Sequence, residues 1–85
     1  MTPTQVKSVI NNEGQTNLVF NNLETGERMS MDTVFSANNH NHIRIEVNTA
    51  RIATLCRWFD IDPSEIKRQL ELQFADSTVT LWFES

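Results

Sequence analysis

The sequence predicts one α+β domain: a small, mostly antiparallel sheet of about four strands packed against a helical hairpin, with an optional short helix at the N-terminal end. Three observations carry that expectation. His42-Ile43-Arg44-Ile45-Glu46-Val47 alternates strictly between apolar and polar residues, the period of a half-buried strand. Asn22-Leu23-Glu24-Thr25-Gly26-Glu27 separates two strand-forming runs and places a glycine where a bulged hairpin turn needs one. Two amphipathic stretches, each with its own start signal, flank Asp60-Ile61-Asp62. With 85 residues the chain encloses a single core, so residues 1–85 are one domain.

Thr2-Pro3-Thr4-Gln5 offers an N-cap, a first-turn proline and a capping-box glutamine, and Val6, Val9 and Ile10 recur at helical spacing. A helix over 3–12 is the preferred assignment. Its competitor is a strand, because those three residues are all β-branched and Asn11-Asn12-Glu13-Gly14 serves equally as a hairpin turn. Strands are expected at 16–22 and 28–34, where Asn17-Leu18-Val19-Phe20 and Arg28-Met29-Ser30-Met31 flank the Gly26 turn. Ser36 to Asn41 has no periodicity and reads as a loop before the strand at 42–47. Asn48 or Thr49 caps a helix at 49–60 whose Ile52, Leu55, Cys56 and Phe59 form one stripe. Asp62-Pro63-Ser64-Glu65 starts a second at 63–74, with Ile66, Leu70 and Phe74 on one face. A last strand at 77–83 sends Val79, Leu81 and Phe83 into the core and leaves Trp82 on the other side.

Composition narrows the function. Seven Lys and Arg stand against eleven Asp and Glu, a net charge of -4, whereas a non-specific nucleic-acid binder is normally basic. The lone Cys56 forms no intramolecular disulfide, so a reducing cytoplasm is the expected compartment. Neither a signal peptide nor a membrane span is expected, since no apolar run approaches ~18 residues. Gly14 and Gly26 lie outside any glycine-rich loop before a helix, which removes a phosphate cradle. His40 and His42 form an H-x-H with no cysteine or third histidine nearby, and two imidazoles make no metal site. Cys56 lies on the apolar stripe of its helix, the setting of a small buried hydrophobe rather than a nucleophile. No catalytic residue, metal or cofactor is therefore assigned, and the chain is expected not to be an enzyme.

Residues 54–70, Thr54-Leu55-Cys56-Arg57-Trp58-Phe59-Asp60-Ile61-Asp62-Pro63-Ser64-Glu65-Ile66-Lys67-Arg68-Gln69-Leu70, carry a small residue at Cys56 and apolar residues at Leu55, Phe59, Ile61, Ile66 and Leu70. This segment resembles a helix-turn-helix, although Asp60 stands where the family has its turn glycine. The resemblance covers about a fifth of the chain, and no whole-chain family is recognised. It implies a sequence-specific DNA-binding regulator, dimeric on its operator, with Ser64, Glu65, Lys67 and Arg68 as reading edge and Arg51 and Arg57 on phosphate.

The leading expectation is of another class. Trp58 falls beside the apolar stripe of its helix and Trp82 on the non-core face of its strand, and such tryptophans are enriched at interface centres. With Arg57, Asp60 and Asp62 they define the candidate surface of a small acidic protein that regulates or inhibits a larger protein partner. Two local acidic clusters, Glu24, Glu27 and Asp32, and Asp60, Asp62 and Glu65, could present an acidic face to a nucleic-acid-processing complex. A homodimer is compatible with either class.

Overall fold

The computed structural model describes residues 3–38 and 40–85. Strands β1 (Thr4–Ile10), β2 (Thr16–Asn22) and β3 (Arg28–Asp32) form one antiparallel sheet in that order. Strands β4 (Val34–Ala37), β5 (His42–Asn48) and β6 (Thr78–Glu84) form a second, with β4 antiparallel and β6 parallel to β5. The parallel pair is bridged by helices α1 (Thr49–Phe59) and α2 (Pro63–Gln73), since a parallel return needs a crossover. The class is α+β with a helical hairpin, as expected, but the strands divide between two three-stranded sheets rather than filling one sheet of four.

The N-terminal expectation is corrected. The segment is strand β1 and not a helix, and Thr2, assigned as its cap, lies outside the described residues. A period of two decides it: Thr4, Val6 and Ser8 are buried, while Val9 and Ile10, which fitted a helical stripe, are 37% and 72% exposed. Asn11 to Gly14 is the hairpin turn. The Asn11 side chain accepts from the Glu13 and Gln15 amides, and Gly14 sits at φ 81°. Gly26 does the equivalent service in the second hairpin at φ 78°.

The strand expected over 28–34 breaks at Thr33, and Ser36 and Ala37, expected in a loop, extend β4. The Thr33 amide donates to the Thr16 carbonyl and the Thr16 hydroxyl to the Thr33 carbonyl, which pins the point where the chain leaves one sheet for the other. A common core results. Val6, Leu18 and Phe20 from the first sheet meet Ile43, Ile45 and Val47 from the second, under Ile52, Leu55, Phe59, Ile66 and Leu70 of the helices. Phe20 and Phe59 pack as tilted rings with centroids 5.6 Å apart, and Phe35 and Phe74 at 5.7 Å. Both helix starts are as expected: Asn48 caps α1 through the Arg51 amide, and Asp62 caps α2 through the Glu65 amide with Pro63 in the first turn. One core position is corrected. Phe83 shares the inward parity of Val79 but is 46% exposed against 1% for Val79, because the cover over that face of β6 does not extend to the end of the strand.

Candidate protein-binding surface

The turn between the helices organises the site. Asp60 ends α1 in the left-handed conformation at φ 51° and ψ 52°, its amide bonded to the Cys56 carbonyl, so an aspartate fills the position expected of glycine. Ile61 then drops into the core, and Asp62 restarts the chain as a cap. The Ser64 hydroxyl donates to Asp62 Oδ1 at 2.6 Å, and this bond, with the Glu65 amide, holds the Asp62 carboxyl below the usual carboxylate range.

Two residues before Asp60, Trp58 stands 62% exposed on the outer side of α1. It is not loose: its indole N–H donates to Glu27 Oε2 at 2.8 Å. Glu27 closes the β2–β3 turn, and the same turn supplies Leu23, 64% exposed, to an open groove of about 870 Å³ between β1 and α2. Leu72 of α2, 66% exposed, lines the groove as well, with Lys7, Asp60, Asp62 and Arg68 among its charged residues. Asp60 and Asp62 thus line the groove, Trp58 is tied through Glu27 to the turn that supplies Leu23 to it, and Arg57 is exposed in the last turn of α1 next to Trp58 in sequence. Trp82 is elsewhere. It lies on the sheet face opposite the core, in register with Glu46, with the Arg44 guanidinium 4.0 Å from its ring centroid.

Leu23 and Leu72 were not singled out in the sequence, and Glu27 only as a member of an acidic cluster. Signals existed: an apolar residue inside a polar turn, and a leucine off the Ile66–Leu70 stripe. Nothing local indicated that Glu27 would reach Trp58, 31 positions away.

The residues of the DNA alternative are placed as follows. Arg51 and Arg57 are exposed on α1. On α2, Arg68 makes a two-pronged bond to Glu65 at 2.8 and 2.7 Å, and Lys67 lies 3.5 Å from Glu71. The Arg68 bond, followed by that from Gln69, pulls the Glu65 carboxyl down to about 2. Ser64 is engaged with Asp62. The cations of the reading edge therefore already face carboxylates of their own helix, and phosphate would have to compete with these.

His42 sits between two hydroxyls, with Nδ1 2.9 Å from Thr78 Oγ1 and Nε2 2.9 Å from Thr80 Oγ1, while His40 lies in the exposed turn. Among the described residues no group of three His, Cys, Asp or Glu gathers at metal-binding distance. Cys56 packs against the core, where burial first and the Asp62 charge second push its thiol up, so it is a protonated, weakly nucleophilic group at neutral pH. No described helix is long and apolar enough to cross a membrane. No protein-family model, no curated protein and no solved structure matches the chain.

Proposed function

We propose that this protein is a non-enzymatic binding protein that regulates or inhibits a larger protein, and that it docks through the end where Trp58 adjoins the β1–α2 groove. The observation that carries the reading is Trp58 itself: a large aromatic, mostly in water, yet fixed in one orientation by Glu27. A preset indole loses little entropy on docking, which is what an interface anchor requires. Leu23 and Leu72 give the partner apolar surface to cover, and the ionised Asp62 at the groove favours a partner whose contacting segment carries cations.

The test is co-purification from the native host using the tagged chain, Trp58→Ala and Leu72→Glu, each with and without nuclease. Both altered side chains are exposed, so the fold should survive. A protein retained by the native chain, insensitive to nuclease and lost with either variant supports the reading. Retained nucleic acid without protein would overturn it in favour of DNA. Lys67→Ala with Arg68→Ala should then lower the salt slope of duplex binding by up to about 2.

A further inference from the structure

Strand β6 carries apolar side chains on both faces of an open edge. In register with β5, Val79, Leu81 and Phe83 stand beside Ile43, Ile45 and Val47, while Thr80, Trp82 and Glu84 stand beside Arg44, Glu46 and Asn48. Cover fails along the strand: Val79 is 1% exposed, and Trp82 and Phe83 are each 46% exposed on opposite faces. No described strand pairs with the far side of β6. Two bonds fix which backbone groups point that way. The Thr78 amide donates to the Asn41 carbonyl at the start of β5, whereas the Val79 amide turns outward to Glu71 Oε2 of α2. Alternation then directs the N–H and C=O groups of Leu81 and Phe83 outward too. An apolar edge with outward-facing backbone groups is a template for another strand.

We propose that β6 pairs with β6 of a second copy of this chain, antiparallel about a two-fold axis at Trp82, joining the two β4–β5–β6 sheets into one. This surface is distinct from the Trp58 end, and the inference goes beyond the function proposed above.

Self-complementarity selects the occupant. A two-fold contact needs one patch that matches itself. With Trp82 on the axis, Leu81 faces the partner's Phe83 and Phe83 the partner's Leu81, and each pair exchanges both backbone bonds. In this register Val79 lies opposite the partner's Ser85, past the last strand residue Glu84, and can keep Glu71, whereas pairing Leu81 with itself would set Val79 opposite the partner's Phe83 inside the strand and displace that carboxylate. The two indoles meet at a non-hydrogen-bonded site, where facing Cα atoms are only ~4.5 Å apart and side chains touch most closely.

Charge selects it again. Within one chain Glu84 lies beside Glu46, whose carboxyl, by hydrogen bond and then by charge, pushes Glu84 above the usual range. In the pairing Glu84 faces the partner's Thr80, in the same cross-strand row as the partner's Arg44, the cation that lies over Trp82. The partner's Arg44 is paired with Glu46 of its own chain at 3.8 Å, so across the axis Glu84 joins an existing Arg44–Glu46 pair. The contact is small. Half-exposed Trp82 and Phe83 with a short run of backbone cover roughly half of the ~1,200 Å² at which standard interfaces begin, so the dimer should form at micromolar rather than nanomolar concentration.

Sedimentation velocity of the full chain from about 1 to about 500 µM spans that regime. The mass should rise from 9.8 kDa towards twice that value. Phe83→Pro removes an outward N–H without touching the β5 ladder, and Trp82→Glu sets two carboxylates face to face on the axis. Each should weaken the dimer at least about tenfold. Glu84→Gln separates this contact from a merely sticky patch: it should raise the melting temperature of the dilute monomer, by relieving Glu46, while weakening the dimer several-fold. Amide exchange at Leu81 and Phe83 should slow as concentration rises. A mass of 9.8 kDa throughout, or a dimer that both Phe83→Pro and Trp82→Glu leave intact, would overturn the proposal.

Discussion

Gln69→Leu should destabilise the domain by about 2 kcal/mol, because a side chain on α2 stands where a neighbouring strand would otherwise bond to β1. The Val6 amide donates to Gln69 Oε1 at 2.8 Å, and Gln69 Nε2 donates to the Thr4 carbonyl at 3.0 Å. Gln73 repeats the arrangement one turn on, accepting from the Ser8 amide at 2.9 Å and donating to the Ser8 carbonyl at 2.8 Å. Leucine keeps the volume and loses both bonds to β1, together with the exposed-side bond from Gln69 Nε2 to Glu65 Oε2 at 3.0 Å, which adds little. Each bond to β1 is worth about 1 kcal/mol net, and the partly buried Val6 amide adds up to about 1 more if water cannot reach it. For a domain of this size ~1 kcal/mol moves the melting point by roughly 4–8 °C, so a fall of about 8–16 °C is expected in calorimetry. Amide exchange localises the cause: Gln69→Leu should speed exchange at Val6 and Gln73→Leu at Ser8. A shift below about 2 °C with Val6 still protected would refute the bracing of β1.

Gly26→Val should cost about 1–2 kcal/mol: no atom lies within 4 Å of an added Cβ, so the penalty is the φ of 78° alone, and an unchanged melting curve would refute it. Stability should fall on acidification from about pH 4 towards pH 2, because Asp62 and Glu65 have folded values below their unfolded ones. Their contribution is complete above the unfolded range near 4 and lost as pH drops through the folded one, about 2 for Glu65, so Glu65→Gln should flatten this part of the melting profile. Trp82→Ala should cost about 2 kcal/mol in a dilute monomer, less than the ~3–5 of a core aromatic, since no helix covers the ring; a larger loss in thermal melting would contradict its exposure.

Legibility in the sequence followed the range of the interaction. The strand at 42–48, the two helix starts and the Gly26 turn were readable because alternation and capping are properties of a few adjacent residues. At 3–12 two local signals competed, as Val6, Val9 and Ile10 satisfy both periods, and the pairing of Val6 with Phe20 in β2 decided for the strand. Thr33 carries no glycine or proline to announce the change of sheet; its anchor is Thr16, 17 residues earlier. Phe83 shows the limit of alternation, which assigns a side chain to a face without saying whether anything covers that face. The exposure of Trp58 and Trp82 was legible for the same reason, but their separation on different surfaces depends on where α1 and β6 lie in the fold.

Helix α2 explains why the open ends of the two sheets are treated so differently. Gln69 and Gln73 are four residues apart and share one side of the helix, while Glu71 is rotated from Gln69 by about 200°. The first two bond to β1, and Glu71 bonds the Val79 amide of β6. The helix therefore lies between the free edge of one sheet and the free edge of the other, with Ile66 and Leu70 pointing down into the core between them. Its reach is unequal. Two glutamines supply donor and acceptor to three consecutive inward-facing residues of β1, whereas a single carboxylate, steadied by Lys67, accepts only the first outward amide of β6. From Leu81 onward β6 has left the helix behind, and this is where Trp82 and Phe83 emerge. The polar residues of α2 are thereby committed to the domain's own sheets and ion pairs. A partner that used α2 as a reading helix would have to break Arg68 from Glu65 and Lys67 from Glu71, whereas one that approaches Trp58 meets the single indole bond to Glu27, and one that adds a strand at the end of β6 can leave the Arg44 contacts to Trp82 and Glu46 on the sheet face in place.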